Sequence, residues 1–301
     1  MSNCACGKKE QLPEWFRQEV PDQAAMGRMR SLLKETGVTT VCQGAHCPNT
    51  GECWSKGTAT FMILGEMCTR ACRFCAVESG VPQEESVEEP LLVAEAVRQL
   101  GLKYVVITSV TRDDLADGGA EHFARTVRAI RMVSPECGVE LLIPDFAGDQ
   151  ISLEIVAQSR PQVIGHNVET VRRLSSSIRS SADHDRSLDV LRSLHLLNPD
   201  VLVKSGFMVG LGETDEEVFS TLQELKSAGC DIVTIGQYLA PSKEGRHVPV
   251  ARFVEPGMFE AYRAEGLRLG IRFVVAGALV RSSYKAEEGF KGCCNKESSC
   301  Q

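Results

Sequence analysis

No stretch of this 301-residue chain approaches the run of about 18 apolar residues that crosses a bilayer as a helix. Long basic runs are also missing. The 33 Lys and Arg are outnumbered by 40 Asp and Glu, for a net charge of −7. The concentrated positive charge of a nucleic-acid binder is therefore absent, and no nucleic acid or membrane is expected as a partner. The opening residues, MSNCACGKKE, have neither the apolar core of a secretory signal nor the Arg-rich, acid-poor character of a transit peptide. The expected location is the cytoplasm. No internal repeat is visible.

Cysteine, by contrast, is plentiful. There are 13, an odd number, in a chain with no secretory signature. That combination favours metal binding or catalysis over a disulfide framework. Six lie between Cys42 and Cys75, and five lie near the termini: Cys4, Cys6, Cys293, Cys294 and Cys300. Cys137 and Cys230 stand alone and read as small buried hydrophobes. The terminal five read as parts of mobile ends and receive no role.

From Gly57 onward, short apolar runs alternate with helical patterns. Strands are expected at 60–65, 104–110, 139–144, 161–167, 201–212, 231–237 and 271–277. Helices are expected at 91–101, 120–133, 151–158, 186–197, 214–230 and 256–270, the fifth opened by a Thr214–Glu217 capping box. Earlier, 12–21 reads as a short amphipathic arm and 26–37 as a helix stopped by Gly37. EESVEE (84–89) reads as a solvated connector and SSSIRSSAD (175–183) as a polar loop. Such alternation makes parallel strands joined by right-handed crossovers. An open doubly wound sheet and a barrel both fit it.

Two cysteine motifs carry the chemistry. GEMCTRACRFCAV (65–77) sets Cys68, Cys72 and Cys75 as C-x3-C-x2-C directly after the first strand. A [4Fe–4S] cluster normally takes four cysteines. Three leave one iron open, which marks a reactive centre rather than a closed structural one. Zinc and purely structural cysteines are the alternatives. Upstream, TVCQGAHCPNTGECW (40–54) sets Cys42, Cys47 and Cys53 as C-x4-C-x5-C. A second cluster needing an outside ligand fits this spacing. So does a zinc site made of Cys42, His46, Cys47 and Cys53.

The first motif, after a strand and before an α/β pattern, resembles the radical S-adenosylmethionine (SAM) superfamily. The two motifs together resemble the lipoyl synthases. So do CPNTGECWSKGTATFMILGEMCTRACRFCAV (47–77), VTRDDLADGGAEHFA (110–124), LIPDF (142–146), HNVET (166–170), KSGFMVGLGETDEEV (204–218), GCDIVTIGQYLAPS (229–242) and RSSY (281–284). The likeness runs from about residue 12 to 286.

This resemblance implies an α/β fold, a partial (β/α)6 TIM-like barrel at 58–278. An N-terminal extension (1–57) would carry the auxiliary-cluster cysteines, and a C-terminal segment (279–301) the RSSY motif and a cysteine-containing tail. It implies two [4Fe–4S] clusters and SAM. Cys68, Cys72 and Cys75 would hold the SAM-binding cluster. Cys42, Cys47 and Cys53, with Ser283 as fourth ligand, would hold the auxiliary cluster. Asn167, Glu169 and Arg186 would bind SAM, Arg186 through the carboxylate, which a guanidinium fork matches. GLGE (210–213) would approach the adenosine or simply turn the chain.

The reaction implied is sulfur insertion at C6 and C8 of a protein-bound octanoyl-lysine, with the auxiliary cluster as sulfur source. Implied partners are an octanoylated carrier (a glycine-cleavage H protein or the lipoyl domain of a 2-oxoacid dehydrogenase), a ferredoxin or flavodoxin, and an iron–sulfur assembly or carrier protein. A biotin-synthase-like sulfur inserter and a non-catalytic iron–sulfur protein are the rivals. The chain departs from the family pattern at Lys285-Ala286, where His-Ala is usual, and at 178–183, where a proline–glycine pair is usual.

Overall fold

The computed structural model describes residues 12–17, 22–44, 47–55, 58–242 and 245–297. Cys4, Cys6, His46 and Cys300 lie outside them. A 3-10 turn at Glu14–Phe16 is all that forms in the described part of the expected arm. Then come α1 (Gln23–Thr36), a two-residue strand β1 (Thr39–Thr40), and the short helices α2 (Val41–Gly44) and α3 (Thr50–Ser55). Six β/α units follow. They are β2 (Thr60–Ile63) with α4 (Glu89–Leu100), β3 (Tyr104–Ser109) with α5 (Ala120–Val133), and β4 (Gly138–Leu142) with α6 (Gln150–Gln158). Next are β5 (Val163–Gly165) with α7 (Arg172–Ile178) and α8 (His184–Leu197), β6 (Leu202–Val209) with α9 (Asp215–Ser227), and β7 (Ile232–Gln237) with α10 (Pro256–Arg268). The strand β8 (Phe273–Gly277) and the helix α11 (Ala286–Glu297) follow as the last described elements.

The strands lie in strictly sequential order, β1 to β8, and every pair from β2 to β8 is parallel. A doubly wound sheet would reverse direction part-way. Right-handed crossovers that never reverse keep the helices on one face and curl the sheet. The barrel alternative is therefore the one adopted, and it is partial, because β8 does not pair back to the first strands. β1 runs antiparallel on the free edge of β2.

Period-two alternation gives each strand an outer and an inner face. Phe61, Ile63, Ile107, Leu141, Val203, Val233 and Ile235 face the helices and are fully buried. α5 answers with Phe123, Val127 and Ile130, an i, i+4, i+7 stripe with no exposure. The Thr214–Glu217 capping box forms as expected, with both reciprocal bonds. The inner face is more polar. Lys204 Nζ on β6 reaches across β5 to Glu140 Oε1 on β4 at 2.6 Å, and Tyr104 OH donates to Glu140 Oε2 at 3.0 Å.

Three expectations need correction. The tail does not simply trail away, because α11 covers the N-terminal ends of the strands. Its Ala286, Phe290 and Cys293 pack against Tyr104, Val163, Leu202, Ile232 and Phe273. Cys293 is fully buried there, while Cys294 is exposed. Gly292 allows this approach: a Cβ there would sit 2.6 Å from the Phe273 ring. Second, the polar loop at 175–183 starts as the end of α7, and its Ser175, Ile178 and Arg179 are buried. Third, the acidic connector is not wholly solvated. Glu89 Oε2 accepts from Leu64 N at 2.7 Å and meets His122 Nε2 at 2.7 Å, with Glu85 near the other ring nitrogen. Cys137 and Cys230 are buried small residues, as read from sequence.

Two candidate cysteine sites

The first site lies where strands end. Past β2 the chain turns through Leu64 and Gly65, both at positive φ, into the C-x3-C-x2-C loop. Cys68 N and O bond Glu78 O and Gly80 N, both at 2.9 Å, closing the loop on itself. Cys68 Sγ accepts from Arg70 N and Thr111 N, both at 3.4 Å. Arg70 anchors the loop from below with a bidentate bond to Asp113 and a third bond, 2.8 Å, to buried Asp145. From above, Arg246 donates to the carbonyls of Cys75 and Val77. His247 Nε2 donates to Cys75 O at 3.0 Å, and its Nδ1 accepts from Ser242 Oγ at 2.8 Å.

Cys68, Cys72 and Cys75 share a cavity of about 200 Å³ with Asn167, Glu169 and Arg179. Asn167 and Glu169 follow β5 at its C-terminal end, where such barrels keep their active sites. Glu169 is held at φ 64, a conformation that costs a non-glycine residue about 1–3 kcal/mol and gathers at functional sites. Its backbone is pinned between Gly206 O (3.1 Å) and Met208 N (2.8 Å). Burial raises its carboxyl pKa. Arg186, by contrast, is absent from the cavity wall. It donates to Asp145 Oδ2 and Ser181 O, both at 3.3 Å. The wall position belongs to Arg179, which the sequence reading passed over. GLGE is a turn. Gly210 and Gly212 take positive φ, and Glu213 accepts from the N–H groups of Gly210 and Leu211.

The second site lies at the opposite end of β2. Cys42 (α2), Cys47 and Cys53 (α3) line a cavity of about 450 Å³ together with Arg281, Ser283 and Tyr284. Segments 230 residues apart are stitched together here. Asn49 Nδ2 donates to Leu279 O at 2.6 Å, and Tyr284 OH donates to Glu52 Oε1 at 3.2 Å. Thr50 and Thr58 hydroxyls hold the carbonyls of Cys47 and Cys53.

The thiols fit metal-cluster ligation. Burial pushes Cys53 and Cys75 up to about 11 and raises Cys47 and Cys72. At Cys53, neighbouring Cys42 and Cys47 add to the effect of burial. Left alone, such groups stay protonated; a bound metal deprotonates them outright. Among the described residues no three His, Cys, Asp or Glu converge as on a single ion. Each ligand of a four-iron cluster binds a different iron, so thiols spaced around one cavity suit a cluster.

Residues 62–225 match the Radical SAM superfamily. The lipoyl synthase of Caldicellulosiruptor saccharolyticus is 51% identical over 93% of this chain and 97% of its own length. That of Caldanaerobacter subterraneus is 51% identical over 92% and 96%. The chain belongs to the lipoyl synthase family. It is a radical SAM enzyme, a sulfurtransferase that works with SAM and [4Fe–4S] clusters. The crystal structure of methylornithine synthase superposes with a TM-score of 0.51 at 17% identity, over 89% of this chain and 79% of that one, which is a likeness of fold. Two features that the sequence did not announce are Arg179 in the cavity wall and α11 beneath the barrel. Among the described residues, no helix is long and apolar enough to cross a membrane.

Proposed function

We propose that this chain replaces one hydrogen at C6 and one at C8 of a carrier-bound octanoyl-lysine with sulfur, and that its two thiol cavities divide the work. The observation that carries this reading is the meeting of Ser283 with Cys42, Cys47 and Cys53 around one cavity, while Cys68, Cys72 and Cys75 open into another.

In this reading Cys68, Cys72 and Cys75 hold the cluster that binds SAM, with one iron left open. When bound, that cluster and SAM supply the one-electron chemistry that breaks unactivated C–H bonds. Asn167 and Glu169 orient SAM through its amino and ribose groups. Arg186 stands outside the cavity wall and supports it by donating through Nη1 to Asp145, which lines the cavity. Cys42, Cys47, Cys53 and Ser283 hold the second cluster as the sulfur substrate. An oxygen ligand exchanges more readily than a soft thiolate, so Ser283 is the ligand to release first. Arg246 and His247 keep the SAM-site loop closed against solvent by holding its carbonyls.

The partners are an octanoylated H protein or lipoyl domain, a ferredoxin or flavodoxin as electron donor, and an iron–sulfur assembly or carrier protein that restores the spent cluster. The place of action is the cytoplasm, a reducing compartment that suits ten described cysteines all present as free thiols.

The test is anaerobic incubation of the reconstituted protein with SAM, a strong reductant and an octanoyl-lysine peptide, followed by mass spectrometry. The protein should carry about eight irons, two four-iron clusters, and the peptide should gain two sulfurs for two hydrogens. SAM cleavage with an unchanged peptide would refute the substrate.

A further inference from the structure

Two arginines, Arg70 and Arg179, line the SAM-site cavity and a third, Arg186, reaches its lining residue Asp145; Arg70 and Arg186 are matched by carboxylates. Arg70 binds Asp113 and Asp145, and Arg186 binds Asp145. Arg179 differs. Its residue is 6% exposed, its side chain lines the cavity, and among the described residues it forms no ion pair within 4.0 Å.

Its position is nonetheless tightly fixed. Nη1 donates to Ser187 Oγ at 3.0 Å, and Nη2 to Asn167 O at 3.4 Å. Ser187 Oγ lies 3.0 Å from His166 Nε2, and His166 Nδ1 lies 3.0 Å from Ile143 O. A carbonyl only accepts, so Nδ1 carries the proton of the neutral ring. Nε2 is then left as an acceptor facing Ser187 Oγ, which donates to Asp183 O at 3.1 Å and accepts from Arg179. The backbone on either side grips the cysteine loop. Ile178 O accepts from Arg73 N at 2.8 Å, and the Ser180 backbone N–H favours the thiolate form of Cys72. Glu169 and Cys72 are the leading charged partners of the guanidinium.

A buried cation with no carboxylate in contact is costly. Deprotonation of Cys68, Cys72 and Cys75 supplies that counter-charge, and one-electron reduction of the group they hold adds to it. We propose that Arg179 is the charge-balancing residue of the SAM site, fixed beside Cys72 so that it stabilises the reduced, more negative cluster. This rests on the reading that the three cysteines hold that cluster.

The test is a potentiometric EPR titration of anaerobically reconstituted holoenzyme, the SAM-site signal being the one that changes when SAM is added. Arg179→Gln should keep its iron and lower the midpoint potential by at least about 59 mV, a tenfold change in the one-electron equilibrium. Arg179→Lys should return more than half of that shift. An unchanged potential in Arg179→Gln overturns the proposal. So does a weaker SAM Kd at unchanged potential, which would assign the guanidinium to SAM itself. If Arg179→Gln loses iron, Ser187→Ala decides, since it removes the acceptor of Arg179 Nη1 while keeping the charge: a lowered potential supports the proposal and an unchanged one overturns it. Failure of the underlying reading looks different: Cys68→Ala would then retain the SAM-responsive signal.

Discussion

A single methyl group placed on a barrel strand should uncouple the two halves of the reaction. Gly236 lies on the inner face of β7, paired with Met208 on β6 and Gly277 on β8. A Cβ at Gly236 would stand 2.1 Å from Val280 O and 3.0 Å from Val280 C. Both are backbone atoms and cannot rotate away. Restoring ordinary contact requires the 279–281 segment to shift by about 1 Å or more. Ser283 follows three residues later, so Gly236→Ala displaces it from the Cys42–Cys47–Cys53 cavity. Overpacking of this kind costs about 1–3 kcal/mol, which leaves a typical domain folded. A misplacement of about 1 Å can cost about a hundredfold in rate. The variant should therefore cleave SAM within about twofold of the parent while forming at least about tenfold less lipoyl product per SAM cleaved. Mass spectrometry of the peptide and of 5′-deoxyadenosine from one reaction reads that ratio. Gly277→Ala is the control, because its Cβ would meet only the Val280 Cγ2 methyl, at 3.3 Å. A normal ratio in Gly236→Ala refutes the argument, as does an equal loss in both variants.

Ser283→Ala should retain SAM cleavage and lose product; a normal yield of lipoyl peptide would remove Ser283 from the ligand set. Lys204→Met leaves the buried Glu140 carboxylate unpaired and should cost about 3–5 kcal/mol, while Glu140→Gln/Lys204→Met should recover most of it. Urea-unfolding midpoints compare the two, and a double variant as weak as the single one contradicts the pairing. His166 is held down to about 4, by burial first and then by the Arg179 charge. The unfolded chain takes up that proton near pH 6.5 and the folded one does not, so stability falls between pH 6.5 and 4 by about 3 kcal/mol. Burial opposes ionisation of Asp145, but Arg70 outweighs it and holds the carboxyl at about 2, so a further loss follows below pH 3.8. Denaturation midpoints across pH should show a first step that His166→Gln removes; a step that persists assigns it elsewhere.

Much of this molecule was legible in the chain because the barrel strands are buried on their outer face. Runs such as YVVITS and DIVTIG stand out whatever lies around them, and glycine or a capping box marks most helix ends. What escaped notice was set by tertiary contact. α11 has a proper stripe at Ala286, Phe290 and Cys293, but Gly289 and Gly292 lower its helix propensity and disguise it. Those glycines make sense only against the Phe273 ring. β1 is two residues long and has no period to detect. Arg179 sits in a serine-rich stretch that reads as a loop, and nothing local announces that its guanidinium turns inward. The two thiol triads were plain from spacing. That Ser283 joins one of them was available only from resemblance, since 230 residues separate the segments that Asn49 and Leu279 tie together.

The two cavities use opposite ends of the same strands, and this bears on how one acyl chain can meet both. Thr60 lines the cavity with Ser283, and Met62, the next inner-face residue on β2, lines the cavity with Glu169. Alternate residues of a strand are about 7 Å apart, a distance an eight-carbon chain spans. Val106 and Ser109 on β3 repeat the same division. The partial barrel leaves its side open between β8 and β2. There β1, the Cys42 loop and the 279–284 segment come together, so the cavity of Cys42, Cys47 and Cys53 closes the gap that the missing strands leave. Beneath it α11 covers the strand starts with Phe290 and Cys293. A full barrel would fill its centre with packed side chains. Gly206 and Gly236 on the inner face do the reverse: a Cβ at Gly206 would strike Thr234 Oγ1 at 2.4 Å and approach Asn167 Oδ1 at 3.1 Å. Keeping these positions without side chains lets Asn167 pack against β6 and the Val280 backbone pack against β7. The incompleteness of the barrel is thus what allows a second thiol-lined cavity to be built against the first.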